Sequence, residues 1–169
     1  MRKTIAVLLI LGFCLPLVAV PMPNTLKGYM KLFKPGMTKT QVQKITAGWG
    51  LVDVTDRFRK KDWFGQFTRG RESYQGFQMF KFVSLYNTRF FFFLSFDEMD
   101  YLRKYAFLIL GKPNATLLSF KEMKDKIQRD LKKSPNDVEK TFIGWKCFNR
   151  KIGLFYGVTR KPILVVIVG

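Results

Sequence analysis

The sequence predicts an α+β fold made of two helix-helix-antiparallel-strand units, of the ααβββ type, that share or abut one antiparallel sheet. The N-terminus has the composition of an export signal, and two similar 12-residue segments lie 96 residues apart. Blocks of aromatic and β-branched residues follow each segment, as is typical of strands. The predicted organisation is a signal peptide over residues 1–20, a first unit over 21–110 and a shorter second unit over 111–169.

The N-terminus has the two parts of a secretory signal. Arg2 and Lys3 precede an apolar run over Ile5–Val20. A membrane-spanning helix needs about 20 apolar residues, and this run is shorter and is interrupted by Pro16. We therefore expect cleavage, with the best small-residue site after Ala19.

Cys14 leaves a second interpretation open, because bacterial lipoproteins are cut just before a cysteine that then receives lipid. Phe13 stands where that processing site needs a small residue, which favours Cys14 as part of the leader core. Cys147 is then the single cysteine of the mature chain. We expect no intramolecular disulfide, even in an oxidising compartment.

The first unit is predicted to begin with an amphipathic helix. Its apolar positions follow the i, i+3, i+4, i+7 spacing of one helix face: Leu26, Tyr29, Met30 and Phe33. Lys34-Pro35-Gly36 then breaks the pattern. A second helix is expected after that break.

The predicted repeat aligns Thr38–Trp49 with Ser134–Trp145 without gaps. The identities are Val42 with Val138, Lys44 with Lys140, Gly48 with Gly144 and Trp49 with Trp145. Thr38 and Gln41 have capping-box spacing, and Ser134 is followed by Pro135 at the first helical position. Both copies are therefore predicted to be capped helices that end at the glycine and are followed by a buried, structural tryptophan.

A further helix is predicted before the second copy. Ser119 and Glu122 have capping-box spacing. The apolar stripe behind them is Phe120, Met123, Ile127 and Leu131. Two helices would then precede the strands in each unit, with Gly111–Asn114 as the linker-like stretch between units.

The predicted strands are blocks rich in aromatic and β-branched residues. They are Phe77–Tyr86, Arg89–Phe96 and Tyr101–Leu110 in the first unit, and Lys151–Thr159 and Ile163–Val168 in the second. Trp63–Thr68 and Trp145–Phe148 are weaker candidates. The run Phe90–Phe93 does not alternate with polar residues, so we expect a central strand covered on both faces.

The segment Lys34–Val42 resembles the SmpA/OmlA (BamE-like) family of small outer-membrane lipoproteins. The matching residues are Gly36, Met37, Thr38, Gln41 and Val42, and the turn Phe96–Leu102 is similar to the family's Phe-Asp turn. The resemblance covers Thr25–Leu110 and implies a two-helix, three-strand unit. A tandem pair of such units is similar in plan to the β-lactamase-inhibitor protein fold, which presents a concave sheet to a partner protein.

Charge and residue types limit the chemistry. The chain has 30 basic and 12 acidic residues, and loss of Arg2 and Lys3 with the leader leaves 28 and 12, a balance of +16. It has no histidine, and one mature cysteine cannot form a Cys-His nucleophile or a thiolate metal site. The acidic cluster Asp97, Glu98 and Asp100 falls in a predicted turn, where carboxylates are usually solvated. We predict no catalytic residue, cofactor or metal site.

The predicted binding residues lie in a loop, 57–75, that mixes basic and aromatic side chains. They are Arg57, Arg59, Lys60, Lys61, Trp63, Phe64, Arg69 and Arg71. Such a mixture suits a membrane interface, an acidic protein face or a single-stranded nucleic acid. It also suits a solvated strand edge whose aromatic residues belong to the core, and both interpretations stay open.

These observations predict an exported, non-catalytic binding or scaffolding protein of the bacterial cell envelope that docks on an envelope protein or on anionic lipid. Export argues against nucleic acid as its ligand. The alternative is a secreted inhibitor that blocks an enzyme or host factor with its concave sheet. An enzyme and a toxic cationic protein are the remaining classes, and the sequence offers no catalytic set for the first.

Overall fold

The computed structural model describes residues 19–59, 76–110, 113–157 and 163–169. Its helices are α1 (Leu26–Leu32), α2 (Lys39–Thr46), a 3-10 turn (Ala47–Trp49), α3 (Thr55–Arg59) and α4 (Pro113–Leu131). Its strands are β1 (Val52–Asp53), β2 (Phe77–Leu85), β3 (Thr88–Phe96), β4 (Leu102–Leu110), β5 (Asp137–Val138), β6 (Phe142–Cys147), β7 (Arg150–Gly157) and β8 (Ile163–Val168). Within this part of the chain, no helix has the length and apolar character to cross a bilayer.

The eight strands form one antiparallel sheet in the order β1-β2-β3-β4-β8-β7-β6-β5. The first four strands and the last four meet where β4 pairs with β8, from Tyr105 opposite Val168 to Leu110 opposite Ile163. The prediction of an α+β fold with one antiparallel sheet is confirmed. The strand predictions also hold to within two residues at most ends.

The two helices predicted for the first unit are present with their caps. The Thr25 hydroxyl accepts a hydrogen bond from the Gly28 N–H at 3.1 Å at the start of α1. At the start of α2, the Gln41 N–H donates to the Thr38 hydroxyl and the Thr38 N–H donates to the Gln41 side chain, at 3.3 and 2.9 Å. This is the capping box that the sequence predicts.

The helices α1, α2 and α4 cover one face of the sheet, which we call the inner face. Tyr29 of α1 and Phe33, the residue that caps its C-terminus, lie against Phe92 of β3 with ring centroids 5.7 and 5.6 Å away. The ring of Trp49 meets the same two rings edge-on. From α4, Ile127 is fully buried in the same cluster. The main core is therefore aromatic and lies between the helices and the sheet.

The phenylalanine run occupies a central strand, as predicted. Phe90 and Phe92 point to the inner face and belong to the main core. Phe93 points to the opposite, outer face and packs in a second cluster, with Phe91 against its margin. Because both faces of β3 are covered, the strand has no need of polar residues at alternate positions.

The predicted helix over Ser134–Gly144 is wrong. This segment contains β5 and β6, and among the described residues from 113 onward one helix, α4, precedes the strands of the second half. The two aligned segments therefore have different conformations. Val138, Phe142 and Trp145 keep helical spacing, so apolar periodicity does not distinguish the two copies. The difference is that Thr141, Phe142, Ile143 and Trp145 favour a strand, and β7 pairs with that strand along its length.

The outer edge of β6 shows what replaces the predicted helix. The Asn136 N–H donates to the Gly144 carbonyl, and the Asn136 side chain accepts from the Lys146 N–H, both at 2.8 Å. The Lys133 ammonium donates to the Lys146 carbonyl at 2.5 Å. These bonds give hydrogen-bond partners to backbone N–H and C=O groups along the edge of β6. The residues that resemble a helix cap therefore protect a strand instead.

The start of α4 also differs from the prediction. The helix begins at Pro113, six residues before the predicted N-cap Ser119, so the predicted linker Gly111–Asn114 is in part helical. Proline suits a first helical position because that N–H has no intrahelical acceptor. The predicted stripe is confirmed at Met123, Ile127 and Leu131, which are buried in the main core.

Gly48 was predicted to end the helix after Thr38, but the left-handed residue is Gly50, with φ +62°, after the 3-10 turn. Gly48 is constrained by close packing instead, since a Cβ there would lie 2.7 Å from the Cβ of Ala19. Beside it, the Trp49 Nε1–H donates to the Val20 carbonyl at 2.8 Å. The chain at the predicted cleavage point thus packs against the domain. Residues 1–18 of the predicted leader, with Cys14, lie outside the described residues.

Candidate binding surface on the outer sheet face

The outer face of the first half is covered by α3. Its start is fixed to the sheet because the Asp53 carboxylate accepts from the Thr55 N–H at 2.8 Å, while the Thr55 hydroxyl accepts from the Met79 N–H at 2.9 Å. Phe58 then packs on Phe91 with ring centroids 5.1 Å apart. The helix is short, and its single buried aromatic ring fixes its position.

Two of the predicted binding residues, Arg57 and Arg59, are exposed on α3. The Arg59 guanidinium lies 5.5 Å from the centroid of the Phe77 ring and 3.5 Å from the Asp56 carboxylate. Six other predicted residues lie outside the described part of the chain: Lys60, Lys61, Trp63, Phe64, Arg69 and Arg71. The structure therefore places only the beginning of the predicted basic loop, at the outer face.

The outer face of the second half carries a feature that the sequence reasoning missed, a pair of aromatic rings lying on two glycines. Gly144 of β6 is opposite Gly153 of β7, and Phe142 is opposite Phe155. The centroids of the Phe142 and Phe155 rings are 4.7 Å apart. A Cβ on Gly153 would lie 2.6 Å from the Phe155 ring and 3.2 Å from the Phe142 ring. The glycines are thus needed for the rings to approach the backbone this closely.

Lysines border these rings. Lys146 is opposite Lys151 in the β6–β7 pair, and both are exposed on the outer face two residues from the glycines. Lys151 also exchanges two backbone hydrogen bonds with Gly169. On the far side of Gly169 lies the Cβ of Lys104 in β4, so Lys104 extends the row of lysines that begins with Lys146 and Lys151. We call the set Phe142, Lys146, Lys151, Gly153 and Phe155 the Phe155 patch.

The patch combines exposed apolar area with positive charge. Phe155 is 37% exposed although it lies in a sheet. The carboxylates beside the rings are on the edge-strand side: Asp137 is opposite Gly144, and the Glu139 N–H donates to the Phe142 carbonyl. Lys146 and Lys151, with Lys104 beyond them, make the other border of the aromatic pair basic, which suits an acidic partner that also has an apolar side chain to bury. The alternation Phe-x-Gly-x-Lys in β6 and Lys-x-Gly-x-Phe in β7 is the sequence signal that could have identified it.

The acidic cluster at Asp97–Asp100 forms a structural turn. The Asp97 carboxylate accepts from the N–H groups of Tyr101 and Met99 and contacts Arg103 at 2.9 Å. The Tyr101 N–H, more than any other contact, lowers the pKa of Asp97 below its ordinary value. Among the described residues, no group of three His, Cys, Asp or Glu side chains is arranged to hold a metal ion.

The residues of the predicted repeat lie in different parts of the structure. Thr38 and Val42 cap and pack α2, and Trp49 and Trp145 are both buried in the main core. Val138, by contrast, is 63% exposed on the short edge strand β5. Ser134 lines an open polar groove at the end of α4, and Gly48 and Gly144 serve the two packing contacts given above. These residues do not form one site.

Comparison with protein-family models, with curated proteins and with solved structures finds no match to this chain.

Proposed function

We propose that this protein is an exported, non-catalytic docking protein of the cell envelope, and that it binds an acidic face of an envelope protein through the Phe155 patch. The observation that carries the proposal is the Phe142–Phe155 pair, which lies over Gly144 and Gly153 and is bordered by Lys146 and Lys151. Support for export comes from the N-terminal leader sequence, and support for an envelope role from the resemblance of Lys34–Val42 to BamE-like proteins.

An acidic protein suits the patch better than a lipid surface. The rings lie close over glycine backbone, so they project little from the sheet and cannot reach far into a bilayer. Shape-complementary protein interfaces use such aromatic anchors with charged residues around them. Insertion into a membrane usually depends on an amphipathic element with an apolar face that projects into the acyl region.

Site-specific crosslinking in intact cells tests the proposal. A photo-crosslinking amino acid at position 155 is compared with one at Lys121, an exposed position on α4. We expect a discrete protein adduct in the envelope fraction from position 155 only. The double change Lys146→Glu and Lys151→Glu should remove the adduct, since it reverses the charge beside the rings.

Other outcomes separate the alternatives. Fractionation that finds the protein only in the cytosol contradicts the proposal. Recovery of the protein from the culture medium, bound one-to-one to a soluble target, would favour the secreted inhibitor. Binding to anionic vesicles that depends on Lys146 and Lys151, without a protein adduct, would assign the patch to lipid instead.

A further inference from the structure

A second cavity lies on the other side of the sheet, between α1 and the turn that joins β6 to β7. Its volume is about 310 Å³, and its lining residues are Lys27, Met30, Lys31, Phe148 and Arg150. Met30 and Phe148 make its walls apolar, while three cations surround them. We call it the α1 cleft. It shares no residue with the Phe155 patch.

One polar group at this cleft has no partner. Arg150 Nη1 is buried and has no hydrogen bond among the described residues. A buried donor without an acceptor destabilises the fold, so it is unexpected unless something else binds there. An anion accepts from such a donor, and the guanidinium charge strengthens the bond.

Phe148 adds an independent observation. Its φ is +51°, a left-handed conformation that disfavours a bulky side chain, and it is 67% exposed. The turn would be less strained with asparagine or glycine at this position. Strain that is combined with exposure of an aromatic ring at the mouth of a cavity points to a function for that ring.

Asp130, which contacts the backbone of the cleft residue Lys27, is already engaged. The Asp130 carboxylate accepts from the Lys27 N–H at 3.0 Å and from the Tyr86 hydroxyl at 2.7 Å. The side chains of Lys27, Lys31 and Arg150 therefore leave a positive cleft with an apolar interior. The volume is at the lower end of the range for ligand sites, about 300–1,000 Å³, which suits one acyl chain better than two.

We propose that the α1 cleft binds a single-chain anionic amphiphile of the long-chain fatty acid class. The carboxylate accepts from the Arg150 guanidinium, and the acyl chain packs between Met30 and Phe148. This is a ligand site in addition to the proposed docking function, and it does not depend on it.

Calorimetric titration of the full mature chain tests the ligand class. Palmitate is compared with hexadecanol, which keeps the chain and lacks the charge, and with butyrate, which keeps the charge and lacks the chain. We expect one palmitate per protein, at least tenfold weaker binding of hexadecanol and no heat from butyrate. Equal binding of palmitate and hexadecanol, or no binding of palmitate, would overturn the proposal.

Matched variants test the location. Arg150→Gln should weaken palmitate binding at least tenfold, whereas Lys121→Gln, at an exposed position on α4 that does not line the cleft, should leave it unchanged. Phe148→Asn should also weaken binding, and its melting temperature should be equal or higher because the turn is relieved of strain. If both glutamine variants lose the same affinity, or if Phe148→Asn binds palmitate as the wild type does, the ligand does not occupy this cleft.

Discussion

Two hairpin turns of the sheet have the same local sequence pattern, an aromatic residue followed by asparagine. Tyr86–Asn87 joins β2 to β3, and Phe148–Asn149 joins β6 to β7. Both central residues have positive φ in each turn, +51° and +61° in the first and +51° and +59° in the second. Each is therefore a tight two-residue turn whose backbone matches the twist of its strands but disfavours an aromatic side chain.

The difference between the turns is in their tertiary contacts. The Tyr86 hydroxyl donates to the Asp130 carboxylate of α4 at 2.7 Å and accepts from the Leu26 N–H at 3.4 Å. Asn87 is held by Asn24 through its N–H at 2.8 Å. Phe148 has no hydroxyl and is 67% exposed. The first turn joins two helices to the sheet, so its strain is offset by stabilising bonds, whereas the second turn presents its aromatic ring to a cleft.

The largest change in stability is expected when the tryptophan in each half of the sheet is replaced. Trp145 is 1% exposed and Trp49 is 9% exposed, and both belong to the main core. We expect Trp145→Ala and Trp49→Ala each to lower the free energy of unfolding by about 3–5 kcal/mol, as is usual for emptying a large aromatic site. Urea unfolding followed by circular dichroism measures this. A loss below about 1 kcal/mol at either position would mean that its half does not share the common core.

The next test removes the bond that distinguishes the two turns. Tyr86→Phe should lower the free energy of unfolding by about 1.5–3 kcal/mol, because it deletes a hydrogen bond to a charged group. The matched change Phe148→Tyr should have almost no effect, since it adds a hydroxyl to an exposed ring. Chemical denaturation of both variants gives the values. Equal effects would show that the Tyr86–Asp130 bond does not stabilise the first turn.

Alkaline pH should act on the first turn and leave the second unaffected. Burial, with the hydrogen bond to Asp130, raises the pKa of Tyr86 above its ordinary value of 10.0. A tyrosine with a raised pKa in the folded state gives its full contribution below about pH 10, and that contribution falls as the unfolded chain ionises at higher pH. Each such tyrosine loses on the order of 1 kcal/mol by about pH 11. Burial likewise raises the pKa of Tyr29 and Tyr105.

Thermal unfolding at intervals between pH 8 and 11 checks this. The wild type should lose stability above about pH 10, and Tyr86→Phe should lose less over the same interval because one ionising group is gone. Phe148→Tyr, whose added phenol is exposed, should follow the wild-type curve. A steeper loss in Tyr86→Phe than in the wild type would contradict the assignment.

The smallest effect is expected at the second turn itself. Phe148→Gly should raise the free energy of unfolding by up to about 1 kcal/mol, because glycine adopts positive φ without a steric penalty. Tyr86→Gly should destabilise the protein, since it loses both hydrogen bonds of the tyrosine hydroxyl. Melting temperatures of the two glycine variants measure the contrast. A fall in stability in Phe148→Gly would mean that the ring supports the fold.

Much of the first half could be predicted from local signals. The stripe that begins at Leu26 and the capping box of Thr38 and Gln41 are formed by residues within one or two helical turns of each other. The phenylalanine run in β3 also predicted its own central position. In each case the residues that carry the signal are the residues that make the contact.

The prediction of a second capped helix was wrong because the contacts that decide its conformation come from another strand. Ser134 and Pro135 resemble a helix start, but the decision between helix and strand at Phe142–Cys147 is made by β7, which supplies the pairing partner. The Phe155 patch and the α1 cleft depend in the same way on residues from separate elements. The sequence shows which residue types these sites contain, but it does not show which elements lie next to each other.

The sequence by itself determined the α+β class, the helices of the first half, nearly all the strands and the excess of positive charge, because periodicity, caps and composition act over short distances. The tertiary structure alone decided the eight-strand order, the conformation of the segment after α4 and the different surroundings of Tyr86 and Phe148. Those depend on contacts between residues far apart in the chain, and the two turns show that the same dipeptide pattern can be bonded to a helix in one place and left exposed in another.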